Sequence, residues 1–297
     1  MNTVVTPLHA HHAAPVGAAR SIGDILVASG RLSSVDAARV LHHQQQNKLQ
    51  FGDAALALKV LTKDDIDFAL SKQFDYDYLS AQDTSLSHDL VAAYQPFSRV
   101  GENLRSVRTQ LMLRWFNTDP NHKALAVVSP GKEEGRSFIV GNLAIVFAQQ
   151  GHRTLLVDAD LRATPEYGQQ SLFQLDKGAG LSGILAGRAG LDAVQGVKGL
   201  PGLAILPAGA LPPNPQELLG RPAFGLLLQL AAQQFDVVII DTPAANAFSD
   251  AEIVAARTGA ALIVARKNKS LLPQAASLAR RLQDVGVAVV GSVLNDD

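Results

Sequence analysis

The chain has 297 residues, of which 47% are hydrophobic and 18% charged, and its formal net charge is −1. This length allows one large domain or two smaller ones, and the composition excludes an intrinsically disordered chain. The near-neutral charge argues against nucleic-acid binding driven by bulk positive charge, so we expect no nucleic-acid partner. Without cysteine, the chain forms no disulfide and no thiolate metal site. No apolar run reaches about 18 residues and no signal-peptide layout precedes the first helix, so we expect a cytoplasmic protein.

An internal repeat follows a flexible tail predicted for residues 1–18. The segment 22–44 returns as 51–73, at an offset of about 29 residues. Each copy is predicted to form two short helices, with Ser33 and Thr62 as the N-caps of the second helix in each copy. The apolar stripe that should bury the two copies against each other comprises Val35, Ala38, Leu41, Ile66, Ala69 and Leu70.

The repeat predicts a small all-α domain over residues 19–80. It resembles the N-terminal domain of type II secretion and pilus assembly ATPases, some of which bind cyclic di-GMP through an arginine-leucine-glycine repeat. The arginine of that motif is absent before both Gly23 and Gly52. A protein-docking or packing module is therefore favoured, with cyclic di-GMP binding as the alternative.

Residues 81–98, which contain Ser, Asp, Gln and Pro, are predicted to be a linker. Of the four tyrosines of the chain, we expect Tyr94 in this linker to be the most accessible, and Tyr76 and Tyr78 to pack at the end of the second repeat.

Short apolar runs alternate with helical stretches from residue 123 onward. Continuous apolar runs are typical of parallel strands covered on both faces, so residues 99–297 are predicted to form a doubly covered α/β sheet. Ligands of such sheets bind beyond the C-terminal strand ends. The predicted strands are 124–128, 154–157, 203–206, 237–240, 261–264 and 287–290.

A glycine-containing loop joins the first predicted strand to a helix. Strand, loop and helix in this order form the context of a phosphate-binding loop, in which backbone N–H groups and the helix dipole attract phosphate. Ser137 stands where the hydroxyl ligand of Mg²⁺ belongs, and Arg136 replaces the usual lysine.

Carboxylates follow two further apolar strands. Asp158 and Asp160 end the second strand, and their spacing points both side chains the same way from an extended backbone. Asp241 ends the strand that begins near residue 237, in the layout of a Walker B aspartate. Such carboxylates hold Mg²⁺ through water or orient a nucleophile.

The phosphate loop and the strand-end carboxylates make residues 102–295 resemble the bacterial tyrosine kinases of exopolysaccharide synthesis. Over residues 20–297 the chain is similar to their chain-length-determinant type, the EpsG type. The P-loop of the family is matched at 130–137, its second Walker motif at 155–160 and its Walker B motif at 239–243. The resemblance implies a mostly parallel P-loop NTPase sheet of the deviant Walker superfamily that includes ParA and MinD. Further matches are 180–185, 206–209 and 212–219.

The resemblance also implies an activity and a set of functional residues. It implies an ATP- and Mg²⁺-dependent protein-tyrosine kinase that regulates the length, polymerisation and export of an exopolysaccharide. Asp158, Asp160 and Arg136 would be catalytic, and Ser137, Asp158 and Asp241 would hold the metal. The implied nucleotide-binding residues are Gly131, Lys132, Glu133, Glu134, Gly135, Arg136, Ser137, Phe138 and Asn295. The implied oligomer contact consists of Glu102, Arg105 and Arg108, whose spacing places them on one helix face.

The resemblance implies partners as well. These are a protein tyrosine substrate, further copies of the chain, and the cytoplasmic tail of a membrane polysaccharide co-polymerase. Relatives carry Gly, Lys and Thr at positions 133, 136 and 138, and a tyrosine-rich C-terminal tail that this sequence lacks. These departures keep open a nucleotide-binding scaffold without phosphoryl transfer. A partitioning ATPase is the third interpretation, although its signature lysine is absent from this loop.

Overall fold

The computed structural model of the chain describes residues 21–73, 77–80, 82–164 and 167–296. The tail predicted for residues 1–18 and Tyr76 lie outside the described residues. Two compact units meet in the sequence between Gln82 and Asp83. Within the described ranges, no helix has both the length and the apolar character needed to cross a membrane.

The first unit consists of four helices that follow the sequence repeat. They are α1 (Ile22–Ala28), α2 (Ser34–Asn47), α3 (Phe51–Ala57) and α4 (Lys63–Gln73). The predicted N-caps are confirmed, because Ser33 Oγ accepts a hydrogen bond from the Asp36 N–H at 3.0 Å and Thr62 Oγ1 accepts one from the Asp65 N–H at 3.2 Å. Each cap satisfies a backbone donor at the start of a helix.

The buried stripe predicted for the first copy of the repeat is wrong. Val35 is 72% exposed and Leu41 49% exposed, whereas Val40 is fully buried. The inward face of α2 is therefore rotated from the predicted one, and Ala37 packs beside Val40. In the second copy, Ala69 is buried as predicted. The core of the unit comprises Leu26, Leu32, Val40, Ala54, Ala55, Leu61 and Ala69.

The second unit is built on a seven-stranded sheet with the order β3-β4-β2-β5-β1-β6-β7. Its neighbouring strands are parallel except for β3 and β4. The predicted α/β class and all six predicted strands are confirmed. The strand at one edge of the sheet, β3, was not predicted. The strands are β1 (Ala124–Val128), β2 (Thr154–Asp158), β3 (Gln195–Val197), β4 (Leu200–Leu206), β5 (Val237–Asp241), β6 (Ala260–Arg266) and β7 (Ala288–Asn295).

Helices connect these strands. α7 begins directly after the phosphate loop and is almost wholly buried, as the continuously apolar sequence of this segment requires. The helices of the unit are α5 (Val91–Tyr94), α6 (Arg99–Leu111), α7 (Arg136–Ala148), α8 (Gln169–Leu172), α9 (Leu181–Leu185), α10 (Pro215–Gly220), α11 (Pro222–Gln234), α12 (Asp250–Thr258) and α13 (Leu272–Asp284). A π-helical turn, Met112–Phe116, extends α6, and a 3₁₀ turn, Leu191–Ala193, precedes β3.

Residues 83–98, predicted to be a linker, belong to the second unit and pack against it. The Ala92 N–H donates to Asn142 Oδ1 on α7 at 2.8 Å. Tyr94, predicted to be accessible, is only 6% exposed, and its hydroxyl donates to the Leu86 carbonyl at 2.8 Å. The prediction that Tyr94 is an accessible acceptor is therefore wrong.

Candidate active site

The phosphate loop lies between β1 and α7. Gly135 has a φ of 86°, and a Cβ at this position would overlap the side-chain amide of Asn295. Glycine is therefore required where β7 ends against the loop. α7 starts at Arg136 without a side-chain cap. Its first backbone N–H groups have no partner within the helix and are oriented as an anion requires.

The two glutamates of the loop have different environments. Glu133 has a φ of 56°, in a conformation that favours glycine, and its carboxylate pairs with Lys269 at 2.7 Å. The hydrogen bond from Lys269 lowers the pKa of Glu133. Glu134 is buried, and its carboxylate accepts hydrogen bonds from the Gly131 N–H at 2.7 Å and from the Ser270 hydroxyl. The loop that follows β6 thus holds the phosphate loop in place.

Arg136 links the loop to the strand-end carboxylates. Its guanidinium lies 3.6 Å from Asp160 Oδ2 and 3.6 Å from Asp241 Oδ1, and it donates a hydrogen bond to Ser129 Oγ. Only 9% of the Arg136 side chain is exposed, so these charges interact in a weakly screened environment. Two of the three carboxylates predicted from the sequence, Asp160 and Asp241, therefore lie beside the start of α7, and Asp158 is in register with Asp241 on the neighbouring strand.

Burial and mutual repulsion raise the pKa values of two of these carboxylates. Asp158 is buried beside the negative charge of Asp241, and its pKa is raised to about 8. Burial and the same Asp241 charge also raise the pKa of Asp160, and Arg136 opposes this shift. A cluster of this kind is typical of functional sites, because folding stability alone disfavours like charges in a buried place.

Gln169, at the start of α8, joins three parts of the site and was not predicted from the sequence. Its backbone N–H donates to Asp158 Oδ2 at 3.0 Å. Its side-chain amide donates to Asp241 Oδ2 at 2.7 Å and to the Ser137 carbonyl at 3.1 Å. The residue is fully buried. It therefore fixes Asp158 and Asp241 relative to α7.

The structure offers features that fit a magnesium–nucleotide complex. Within the described chain, Arg136 Nε and Asp241 Oδ1 are buried atoms that make no hydrogen bond. In the same ranges, no group of three or more His, Cys, Asp or Glu side chains forms a complete metal site. In nucleotide sites, Mg²⁺ usually takes one or two carboxylates together with phosphate oxygens and water. The free N–H groups of α7, the cation of Arg136 and the nearby carboxylates are the donor set that such a complex needs.

The predicted oligomer contact lies on α6. Arg105 pairs with Glu102 at 2.5 Å, and Arg108 donates to the Val146 carbonyl of α7 at 2.8 Å. Glu102 remains 68% exposed. Both arginines thus make hydrogen bonds or ion pairs within the chain, and Glu102 has the most solvent-exposed side chain of the three.

The comparisons with known proteins agree on one family. The chain is 33% identical to the solved kinase domain of the Escherichia coli tyrosine kinase ETK, with a TM-score of 0.65, covering 69% of this chain and 79% of that one. It resembles the BceF tyrosine kinase domain with a TM-score of 0.63 and 28% identity, over 76% of this chain and 96% of that one. The tyrosine-protein kinase ptk of Acinetobacter johnsonii is 36% identical over 195 residues.

The fold is therefore that of the solved bacterial tyrosine kinase domains, and the chain belongs to the family of bacterial tyrosine kinases. The match to ptk covers 66% of this chain and 26% of that protein. The chain thus spans about a quarter of the length of the curated relatives that it matches. No family model matches the chain.

Proposed function

We propose that the chain is an Mg-ATP-dependent protein-tyrosine kinase of exopolysaccharide synthesis. The observation that carries this proposal is the position of Arg136, at the start of α7 and 3.6 Å from both Asp160 and Asp241. A cation at the phosphate end of a helix, beside carboxylates at strand ends, suits transfer of a phosphoryl group. The family supports the acceptor class, since the relatives are named tyrosine kinases.

Each residue of the site has a proposed role. The loop from Gly131 to Phe138 would surround the phosphates, with the backbone N–H groups at the start of α7 as the donors, and Asn295 would flank the nucleotide. Ser137, Asp158 and Asp241 would hold the metal. When bound, Mg-ATP supplies the phosphoryl group and the positive charge of the ion. Asp160 would accept the proton of the tyrosine hydroxyl, and its raised pKa makes it a stronger base than an exposed aspartate.

Partners and biological role follow the same proposal. The kinase would act in the cytoplasm on the tail of a membrane polysaccharide co-polymerase, and it would regulate chain length, polymerisation and export. Self-association would use α6, where Glu102 is exposed. Tyr167 is 82% exposed and lines the same cavity as Asp160. Among Tyr78, Tyr94 and Tyr167, it would therefore be the most accessible site for phosphorylation of the chain itself.

One observation favours a second function. Related loops carry lysine where this chain has Arg136, and the planar guanidinium is bulkier than an ammonium group and places its charge differently beside the phosphates. A chain that binds nucleotide without transferring phosphate would act as a regulatory scaffold on the export machinery.

An experiment with Asp160→Asn separates the two functions. The full chain is incubated with Mg²⁺, γ-labelled ATP and an acidic tyrosine peptide, and binding of a fluorescent ADP analogue is measured in parallel. The kinase proposal predicts transfer to the peptide and a loss of at least about 100-fold in Asp160→Asn, with nucleotide affinity kept. Nucleotide binding without transfer in the unsubstituted chain would favour the scaffold.

A further inference from the structure

A cavity of about 520 Å³ opens beside the phosphate loop. The loop from Lys132 to Phe138 and the carboxylate of Asp160 form one part of its wall. The segment after β5 forms another part and contributes Phe248. Phe248 is 40% exposed, so an apolar side chain is accessible at the wall of this cavity.

Phe248 packs against an ion pair whose carboxylate is buried. The guanidinium carbon of Arg162 lies 3.6 Å from the ring centroid, within the range of a cation–π contact. Arg162 in turn makes two hydrogen bonds to Asp250, at 2.7 and 3.1 Å, and Asp250 is fully buried. The phenyl ring therefore has a fixed orientation, and part of it is open to the cavity.

Arg162 also contacts the proposed base. Its backbone N–H donates to Asp160 Oδ1 at 3.3 Å, and the N–H of Ala163 donates to the same oxygen at 3.2 Å. One residue thus orients the carboxylate through its backbone and the aromatic ring through its side chain. An acceptor that needs both a base and an aromatic contact would be positioned by this arrangement.

We propose that Phe248, fixed by Arg162 and Asp250, is a binding site for the aromatic ring of the acceptor. The proposal rests on the kinase function proposed above and deepens it, because it explains why tyrosine rather than serine is the substrate. Offset or edge contacts between two rings stabilise binding by an amount that corresponds to about 2- to 12-fold in affinity.

The test uses the full chain with Mg²⁺ and ADP and a fluorescein-labelled peptide, alanine-glutamate-X-glutamate-alanine, in which X is tyrosine, phenylalanine or alanine. Binding is followed by fluorescence polarisation. Because the proposed contact is made by the ring, the phenylalanine and tyrosine peptides should bind equally, and both should bind at least about 3-fold more tightly than the alanine peptide. Phe248→Leu should remove this difference, whereas Phe248→Trp should keep it.

A matched control is Phe97→Leu, since Phe97 is 48% exposed and does not line the cavity. It should leave the preference for aromatic peptides unchanged. Equal binding of all three peptides to the unsubstituted chain, or an unchanged preference in Phe248→Leu, would overturn the proposal. Transfer of label from γ-labelled ATP to the tyrosine peptide is measured separately. Aromatic preference without transfer would refute the kinase function and leave the aromatic site standing.

Discussion

A Gln169→Met substitution tests how the strand-end carboxylates are held. Methionine has a similar length but donates no hydrogen bond, so Asp241 Oδ2 and the Ser137 carbonyl each lose a donor. A hydrogen bond to a charged group is worth about 1.5–3 kcal/mol and one to a neutral carbonyl about 0.5–1.5 kcal/mol. The substitution also removes Gln169 Oε1, a buried oxygen that makes no hydrogen bond. Removing that oxygen offsets about 1–3 kcal/mol of the loss.

We therefore expect Gln169→Met to lower the free energy of unfolding by about 1–2 kcal/mol, measured by urea unfolding, with a fall in Tm of about 2–8 °C. Gln169→Glu is the control, because it keeps the shape but adds a carboxylate beside Asp241. It should cost more than Gln169→Met near pH 7.5, and this extra cost should shrink as the pH falls and one of the two neighbouring carboxyl groups becomes protonated. A Gln169→Met chain that unfolds at the same urea concentration as the unsubstituted chain would refute the reasoning.

Three further predictions follow from the same geometry. Arg136→Met leaves buried carboxylates without their cation and should lower the free energy of unfolding, measured in urea, by about 3–5 kcal/mol. Arg136→Lys keeps a cation and should lower it less. An equal loss of stability in the two variants would contradict this role of the charge. The pKa of Asp158 is raised to about 8, so its contribution to the free energy of unfolding is present below about pH 4 and is lost as the pH rises through about 8. The free energy of unfolding of Asp158→Asn, relative to that of the unsubstituted chain, should therefore increase as the pH rises from about 4 to about 8. A difference that is independent of pH would count against the raised pKa. Nitration mapped by mass spectrometry should modify Tyr167, which is 82% exposed, before Tyr94, which is 6% exposed, and the reverse order would contradict the burial of Tyr94.

The sheet and the motif positions could be predicted because each depends on local sequence. Buried parallel strands leave continuous apolar runs, and Asp158 and Asp241 are the last residues of two of them. β3 could not be predicted because it has only three residues, includes Gly196 and lies antiparallel to β4 at one edge of the sheet. Three residues are too few for an apolar pattern to be recognised.

Residues that act through distant contacts could not be predicted in this way. Gln169 reaches Asp241 across 72 positions of the sequence, and Lys269 reaches Glu133 across 136. No spacing rule connects such pairs. Residues 81–98 are predicted to be a linker because their polar residues favour turns, but Leu90 within this segment is fully buried. Tertiary packing overrides local composition there.

The most direct test of the account is transfer of phosphate from γ-labelled ATP in the presence of Mg²⁺. The full chain is used alone and with a tyrosine-containing peptide from the cytoplasmic tail of the proposed co-polymerase partner, and Asp158→Asn serves as the inactive control. A working kinase should place label on tyrosine, and this label should disappear in Asp158→Asn, with Arg136 supporting transfer in place of lysine. Nucleotide binding without any labelled tyrosine under either condition would contradict the kinase function.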